Sequence, residues 1–226
     1  LMKPGRDPRD ELPAPLLRSP SAARPSDQLR GERTGKEPVT MDLRRILAAT
    51  DHTQLSPTAT AADIARLCAE AARHRTASVC VAPARVREAK KELERLGVLL
   101  PVCTVIGFPN GYSSTEVKAC EAAAAIEDGA DELDMVVNLG DVKDGRFDRV
   151  LSEINRVKGV CNGRILKVII ETCCLTDEEK VRLCGVVSFS GADFLKTSTG
   201  FGSAGAIVMT VLVLLLSSVY IKRAIS

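Results

Sequence analysis

The feature that most constrains the fold is a repeated alternation of short apolar runs with longer helical patterns. Each run is rich in β-branched residues and is bounded by Gly, Pro or Asn, which is typical of a buried strand. Six such runs are present, at residues 46–53, 77–82, 101–108, 132–138, 165–171 and 193–198. Between them, Ser56, Ser114 and Thr176 open helical patterns. A strand followed by a helix, repeated along the chain, predicts a parallel sheet.

Six βα units at a spacing of roughly 25 to 35 residues match the size of a βαβ unit. Two architectures are built from such units, a (β/α)₈ barrel and an open doubly wound sheet. No G-x-G-x-x-G follows the first strand. Its absence disfavours the dinucleotide-binding version of the open sheet.

Composition excludes several functional classes. The net charge is +2 and charges of both signs are interspersed, so no basic face indicates nucleic-acid binding. Aromatic residues make up 3% of the chain, which leaves few side chains for stacking on bases. The eight cysteines form no C-x-x-C pair and are interpreted as reduced thiols of a cytoplasmic protein. Cys80 and Cys103, within predicted strands, are expected to be small core residues.

Residues 1–40 differ from the rest of the chain. They hold seven of the eleven prolines and many charges, with almost no periodic apolar positions. Because such a segment cannot bury enough apolar surface, we predict a disordered N-terminal extension. The globular pattern begins at Met41, which is an alternative start of the product.

Charged residues recur within or beside the predicted buried strands, where an ionised group is costly unless it is paired or used. They are Asp51, which closes the first strand, Asp134, Lys167, Glu171 and Lys196. In βα folds the carboxyl ends of the strands form the active face, and Lys196 lies near such an end.

Two interpretations of Lys196 remain open at this point. A buried lysine near a second cation loses its proton more easily, and a neutral amine can form a Schiff base with a carbonyl. Nearby carboxylates would then relay protons. The alternative is a purely structural lysine–carboxylate pair. The loop that follows, "TSTGFG" at 197–202, has hydroxyls and backbone N–H groups suited to a phosphate.

Several longer motifs resemble one family. They are "DHTQLSPTAT" (51–60), "ASVCVAP" (77–83), the stretch 102–140, "LKVIIETCCLTDEEK" (166–180) and "GADFLKTSTGF" (191–201). In this order and spacing they are similar to the deoxyribose-phosphate aldolases, class I aldolases with a TIM (β/α)₈-type barrel. The resemblance runs from about Leu43 to Ala206.

The resemblance implies reversible Schiff-base cleavage of 2-deoxy-D-ribose 5-phosphate to acetaldehyde and D-glyceraldehyde 3-phosphate, without metal or organic cofactor. Lys196 matches the family's Schiff-base lysine and Asp134 its proton-relaying aspartate. Asp51 and Lys167 match polar residues that line the pocket. We also expect Thr197 and Gly200 of the loop to bind substrate. The expected partner is a small phosphorylated sugar or aldehyde.

After Ala206 the sequence departs from the family pattern, which continues with two more strands, a second catalytic lysine and a phosphate-binding turn. This chain instead reads "IVMTVLVLLLSSVYIKRAIS". The sequence therefore predicts an incomplete barrel of about six βα units at 41–206, followed by a hydrophobic divergent tail at 207–226. Residues 201–221 carry no charge, so the tail is either a membrane anchor or the product of a frame change or alternative splice. Two functions follow as alternatives: an active aldolase, or a catalytically impaired product that is membrane-tethered or serves as an interaction partner.

Overall fold

Six short strands alternate with helices in the computed structural model, which describes residues 42–200. The strands are β1 Asp51–Gln54, β2 Ser78–Val81, β3 Val102–Ile106, β4 Glu132–Val136, β5 Ile165–Ile169 and β6 Phe194–Lys196. The helices are α1 Leu43–Leu47, α2 Ala61–His74, α3 Val86–Arg95, α4 Thr115–Glu127, α5 Leu139–Lys143, α6 Phe147–Val160 and α7 Asp177–Phe189. Two 3₁₀ turns lie at Pro83–Arg85 and Thr172–Cys174. The predicted N-terminal extension and hydrophobic tail lie outside the described residues.

The strands form one sheet in the order β1-β2-β3-β4-β5-β6, and every neighbouring pair is parallel. A doubly wound sheet reverses its strand order at a switch point. The consecutive order found here is that of a singly wound barrel, so the barrel alternative is confirmed, with six strands in the described part of the chain.

Contacts between the two edges of the sheet show that it is curled. Strands in a sheet lie about 4.8 Å apart, so a flat sheet would separate β1 from β6 by roughly 24 Å. The Asp51 carboxylate on β1 nevertheless lies 3.6 Å from the Lys196 Nζ on β6. The sheet therefore has a concave inner face onto which the side chains of both edge strands project.

The main apolar core lies between the outer face of the sheet and the helices. Helix α2 illustrates how the sequence builds it, since Ile64, Leu67, Cys68 and Ala71 recur at helical spacing and are all buried. They share one apolar cluster with the outward residues of the strands, among them Val79 and Val81. The helices consequently cover one face of the sheet and leave the other for the charged residues.

The first strand begins later than the sequence predicted. Residues 46–50 are not extended, because Leu43–Leu47 forms helix α1, whose N-cap Asp42 accepts a hydrogen bond from the Arg44 N–H at 3.0 Å. The Thr50 hydroxyl closes this turn by donating to the Ile46 carbonyl at 2.8 Å. Asp51 therefore opens β1, where it is aligned with Ser78 of β2, and the prediction that it closes the strand was wrong.

Two further boundaries differ from the prediction. Helix α2 begins after Thr60 rather than near Ser56, because Thr60 and Asp63 form a reciprocal capping box. Glu171 lies two residues past the end of β5, with a positive φ of 41°, rather than on the strand. Within residues 42–200, no helix is long and apolar enough to span a membrane.

Candidate active site

Strand register places the predicted charged residues on the inner face of the sheet. Asp134 on β4 is aligned with Lys167 on β5. Lys196 on β6 is aligned with Ile169, two residues beyond Lys167. Because successive side chains of a strand alternate between faces, Asp134, Lys167 and Lys196 point to the same side.

Lys196 is the last residue of β6 and forms an ion pair with Asp134 across the intervening strand. Its ammonium donates to Asp134 Oδ2 and also lies 3.6 Å from Asp51 Oδ2. The Lys196 side chain is 32% exposed, whereas that of Asp134 is 1% exposed. A molecule that enters along the inner face can therefore reach the Lys196 amine. The Asp134 carboxylate is buried behind that amine.

Lys167 is surrounded by three carboxylates. Its Nζ lies 3.0 Å from Asp51 Oδ2, 2.5 Å from Glu132 Oε2 and 3.5 Å from Asp134 Oδ1. The Ser78 hydroxyl donates to the other Asp51 oxygen at 2.7 Å. Lys167 thus compensates the negative charges that share this face, and its side chain, 11% exposed, is less accessible than that of Lys196.

Sequence reasoning missed Glu132 and Ser78. A signal for Glu132 was available, because it precedes Asp134 by two residues and so projects from the same face of β4. Ser78 opens β2 as Asp51 opens β1, and the two are aligned. Because the sequence predicted that β1 begins earlier, the pairing of Ser78 with Asp51 could not be predicted.

The ordinary expectation for a Schiff-base lysine is a lowered pKa, and here the pKa of Lys196 is raised. Burial works to lower it, but the attraction of Asp134 and the hydrogen bond to that carboxylate outweigh burial. The pKa of Lys167 is raised for the same kind of reason: burial is opposed by the surrounding acidic groups. The predicted effect of a second cation is therefore overridden by the carboxylates, and Lys196 is an ammonium in this state.

The pKa of Asp51 is shifted in the opposite direction, below its ordinary value. Burial works to raise its pKa, but the hydrogen bonds from Ser78 and Lys167 and the charges of Lys167 and Lys196 leave the pKa below its ordinary value. The carboxylate is consequently ionised at neutral pH and available to both lysines.

Two buried cysteines complete the inner face. The Cys103 Sγ lies 3.2 Å from Asp134 Oδ1 and 3.7 Å from Lys167 Nζ. Its pKa is raised well above the ordinary value by a hydrogen bond with Cys80 and by burial. Both residues were predicted as small core residues, and with Val105 they form a small apolar cluster on this face.

The loop that follows β6 is held by Glu171. The Thr199 backbone N–H and hydroxyl donate to Glu171 Oε2, and the Ser198 hydroxyl donates to Oε1 at 3.3 Å. The Thr197 carbonyl accepts from the Thr172 N–H at 2.7 Å. Gly200 has a φ of 86°, which favours glycine. Thr197 and Gly200 are exposed at the same end of the sheet as Lys196.

Comparison with known proteins identifies the family of the chain. Residues 45–217 match the model of the DeoC/LacD family aldolase. A curated deoxyribose-phosphate aldolase of Streptococcus pyogenes is 53% identical over 166 residues, which cover 74% of this chain and 73% of the relative. A protein of the same name from Streptococcus agalactiae has the same identity and coverage. The chain belongs to the DeoC/LacD aldolase family.

Solved structures resemble the fold as well as the sequence. The tetrameric deoxyribose phosphate aldolase of Aeropyrum pernix is 33% identical with a TM-score of 0.64, over 70% of this chain and 65% of that one. A structure from Coccidioides immitis, provisionally given the same name, is 43% identical with a TM-score of 0.68. The match covers 71% of this chain and 62% of the Coccidioides chain, so this chain spans somewhat less than two thirds of that structure.

Proposed function

We propose that this chain is a deoxyribose-phosphate aldolase, a carbon–carbon lyase that cleaves 2-deoxy-D-ribose 5-phosphate reversibly to acetaldehyde and D-glyceraldehyde 3-phosphate. The observation that carries the proposal is the ion pair between Lys196, the last residue of β6, and Asp134 of β4. Family membership and the shared name of the curated relatives support the substrate. The activity is assigned to the predicted domain at residues 41–206.

The first step is formation of the imine. Because Lys196 is an ammonium, it must give up a proton before it attacks the C1 aldehyde of the open-chain sugar. Asp134 Oδ2, already hydrogen-bonded to the amine, is the nearest acceptor. Attack on C1 gives a carbinolamine, and loss of water from it gives the protonated imine.

Cleavage follows from the positive charge on the imine. A base removes the proton of the C3 hydroxyl, the C2–C3 electron pair moves toward the imine, and C3 leaves as the aldehyde of glyceraldehyde 3-phosphate. The two-carbon enamine on Lys196 is then protonated at C2, and water hydrolyses the imine to release acetaldehyde. We assign the proton transfers to Asp134, with Lys167 and Asp51 contacting the substrate's hydroxyls.

The phosphate is assigned to the loop after β6. Thr197 follows Lys196 directly and Gly200 lies three residues further on, so a substrate whose C1 reaches the amine can extend toward them. Glu171 fixes the shape of this loop through Ser198 and Thr199. A cytoplasmic location is part of the proposal, and the eight free cysteines are in keeping with it. Nothing among residues 42–200 favours the impaired, membrane-tethered alternative.

Turnover by the purified full chain tests the proposal. We expect cleavage of 2-deoxyribose 5-phosphate, no turnover in Lys196→Met, and a loss of about 100-fold or more in kcat for Asp134→Asn. Lys180→Met, which changes an exposed lysine paired with Asp177, is the matched control and should retain activity. Unphosphorylated 2-deoxyribose should react with a much higher KM. A folded full chain without turnover, or an active Lys196→Met variant, would overturn the proposal.

A further inference from the structure

Two cysteines lie side by side on the inner face of the sheet. Cys80 on β2 is aligned with Cys103 on β3, and the two residues are 2% and 0% exposed. The Asp134 carboxylate approaches the same point, with Oδ1 3.2 Å from the Cys103 Sγ. The two sulfur atoms and a carboxylate oxygen all lie within 4.8 Å of one another.

We propose that Cys80, Cys103 and Asp134 form a binding site for a thiophilic divalent cation such as Zn²⁺ or Cd²⁺. Zinc binds thiolate at about 2.3 Å and carboxylate at about 2.0–2.2 Å, so tetrahedral ligands lie roughly 3.5–3.8 Å apart. The Cys103–Asp134 spacing of 3.2 Å is slightly shorter than this range and the other spacings are within 4.8 Å, so side-chain shifts of about 1 Å would meet this geometry. Two sulfurs with one oxygen suit a soft or borderline cation rather than Mg²⁺ or Ca²⁺.

The charges around the two cysteines are also compatible with a bound cation. As the cation enters, each thiol releases its proton to solvent. The two charges of the cation replace those of the two protons, so the net charge of the cluster is unchanged. The Lys167 ammonium, 3.7 Å from the Cys103 Sγ, stays compensated by Asp51 and Glu132. Metal binding therefore leaves these two ion pairs in place, and the cation replaces Lys167, now 3.5 Å away, as the positive charge facing Asp134 Oδ1.

The two oxygens of Asp134 face different partners. Oδ1 faces Cys103 and Lys167, whereas Oδ2 accepts from Lys196. A cation on Oδ1 withdraws electron density from the carboxylate, which then accepts the proton of Lys196 less readily. The site is consequently inhibitory, and imine formation should fail in the metal-loaded protein. Only this last consequence rests on the proposed function, since metal binding does not require aldolase activity.

The test begins from the full chain with Cys173→Ser and Cys174→Ser. Those two cysteines are adjacent and exposed, with sulfurs 3.9 Å apart, so they would compete for the metal. After equilibrium dialysis against Cd²⁺, we expect one bound ion per chain and a cadmium–thiolate absorption band. A further Cys80→Ser or Cys103→Ser change should remove both signals, whereas Cys120→Ser, at an exposed position, should retain them. Binding retained in either buried-cysteine variant would overturn the proposal.

A second measurement avoids dependence on the folding of those variants. X-ray absorption of Zn²⁺ bound to the Cys173→Ser/Cys174→Ser chain should show two sulfur neighbours and at least one oxygen. A bound zinc without sulfur neighbours, or no bound zinc, would overturn the site. Borohydride trapping with acetaldehyde, with and without the metal, then tests the inhibition separately. If trapping fails without metal, the proposed function is contradicted and the metal site is unaffected.

Discussion

The Lys196 ammonium and the Asp51 carboxylate lie 3.6 Å apart although they belong to β6 and β1, the two edges of the sheet. This contact depends on the curl of the sheet, since the two residues are far apart in sequence and their strands share no backbone hydrogen bonds. The same curl brings Asp51 to Lys167, at 3.0 Å. Six strands are thus enough to assemble a polar cluster around the predicted Schiff-base lysine.

The first prediction concerns Gly111, in the connection between β3 and α4. A Cβ at this position would lie 2.0 Å from the Val137 carbonyl oxygen, and the φ is +69°. We expect Gly111→Ala to cost about 1 kcal/mol for the left-handed backbone and about 1–3 kcal/mol more for overpacking. Gly97→Ala is the matched control, because its φ is +68° and nothing lies within 4 Å of the added carbon. Equal unfolding free energies of the two variants in urea would contradict the clash.

The second prediction concerns the buried pair of Lys118 and Glu153. Both are almost inaccessible and their Nζ–Oε1 distance is 2.7 Å. Removing the cation leaves a buried carboxylate unpaired, so Lys118→Met should lower the free energy of unfolding by about 3–5 kcal/mol. Lys143→Met, which breaks an exposed pair with Glu179, should cost about 0–1 kcal/mol.

A double variant separates the charge from the packing at this pair. Glu153 Oε2 also accepts from the Asn138 N–H at 3.1 Å, and a glutamine can keep that hydrogen bond. We therefore expect Lys118→Met/Glu153→Gln to recover much of the stability that Lys118→Met loses. If the double variant is less stable than the single one, the unpaired charge is not the main cause.

A third prediction is the pH dependence due to Asp51. Its pKa in the folded chain is lowered from the ordinary value of 3.8, so the unfolded state binds the proton more readily. The ionised carboxylate stabilises the fold above that value, and this contribution is lost as the pH falls through the folded pKa. In urea titrations between about pH 3 and 7, the stability lost on Asp51→Asn should be largest near neutrality and shrink in acid. If the difference in unfolding free energy between the original chain and Asp51→Asn stays constant with pH, Asp51 is not the source of the pH dependence.

Much of the fold and part of the site could be predicted from the sequence, for identifiable reasons. The β-branched runs at 77–82 and 132–138 contain β2 and β4, because buried parallel strands are apolar almost throughout. The pattern over 46–53 predicted a strand along its whole length, which was wrong for the first half, because an Asp42 cap and local hydrogen bonds form a helix and turn there. Side-chain pairing across β4 and β5 needed the register, which no local pattern encodes.

The protonation of Lys196 could not be predicted for a similar reason. The sequence shows two lysines in neighbouring strands, and proximity of the two cations suggests a lowered pKa. In the folded chain, carboxylates from β1 and β4 lie beside Lys196, and they reverse the direction of its pKa shift. The sign of the shift therefore depends on tertiary contacts among residues that are widely separated along the chain.

The most direct test of the account is to identify the lysine that forms the imine. The full chain is incubated with acetaldehyde, reduced with borohydride and digested, and the ethylated peptide is mapped by mass spectrometry. We predict a single reduced adduct on Lys196, lost in Lys196→Arg and retained in Lys167→Arg, because Lys196 has the more exposed amine. An adduct on Lys167, or labelling that persists unchanged in Lys196→Arg, would contradict the central claim.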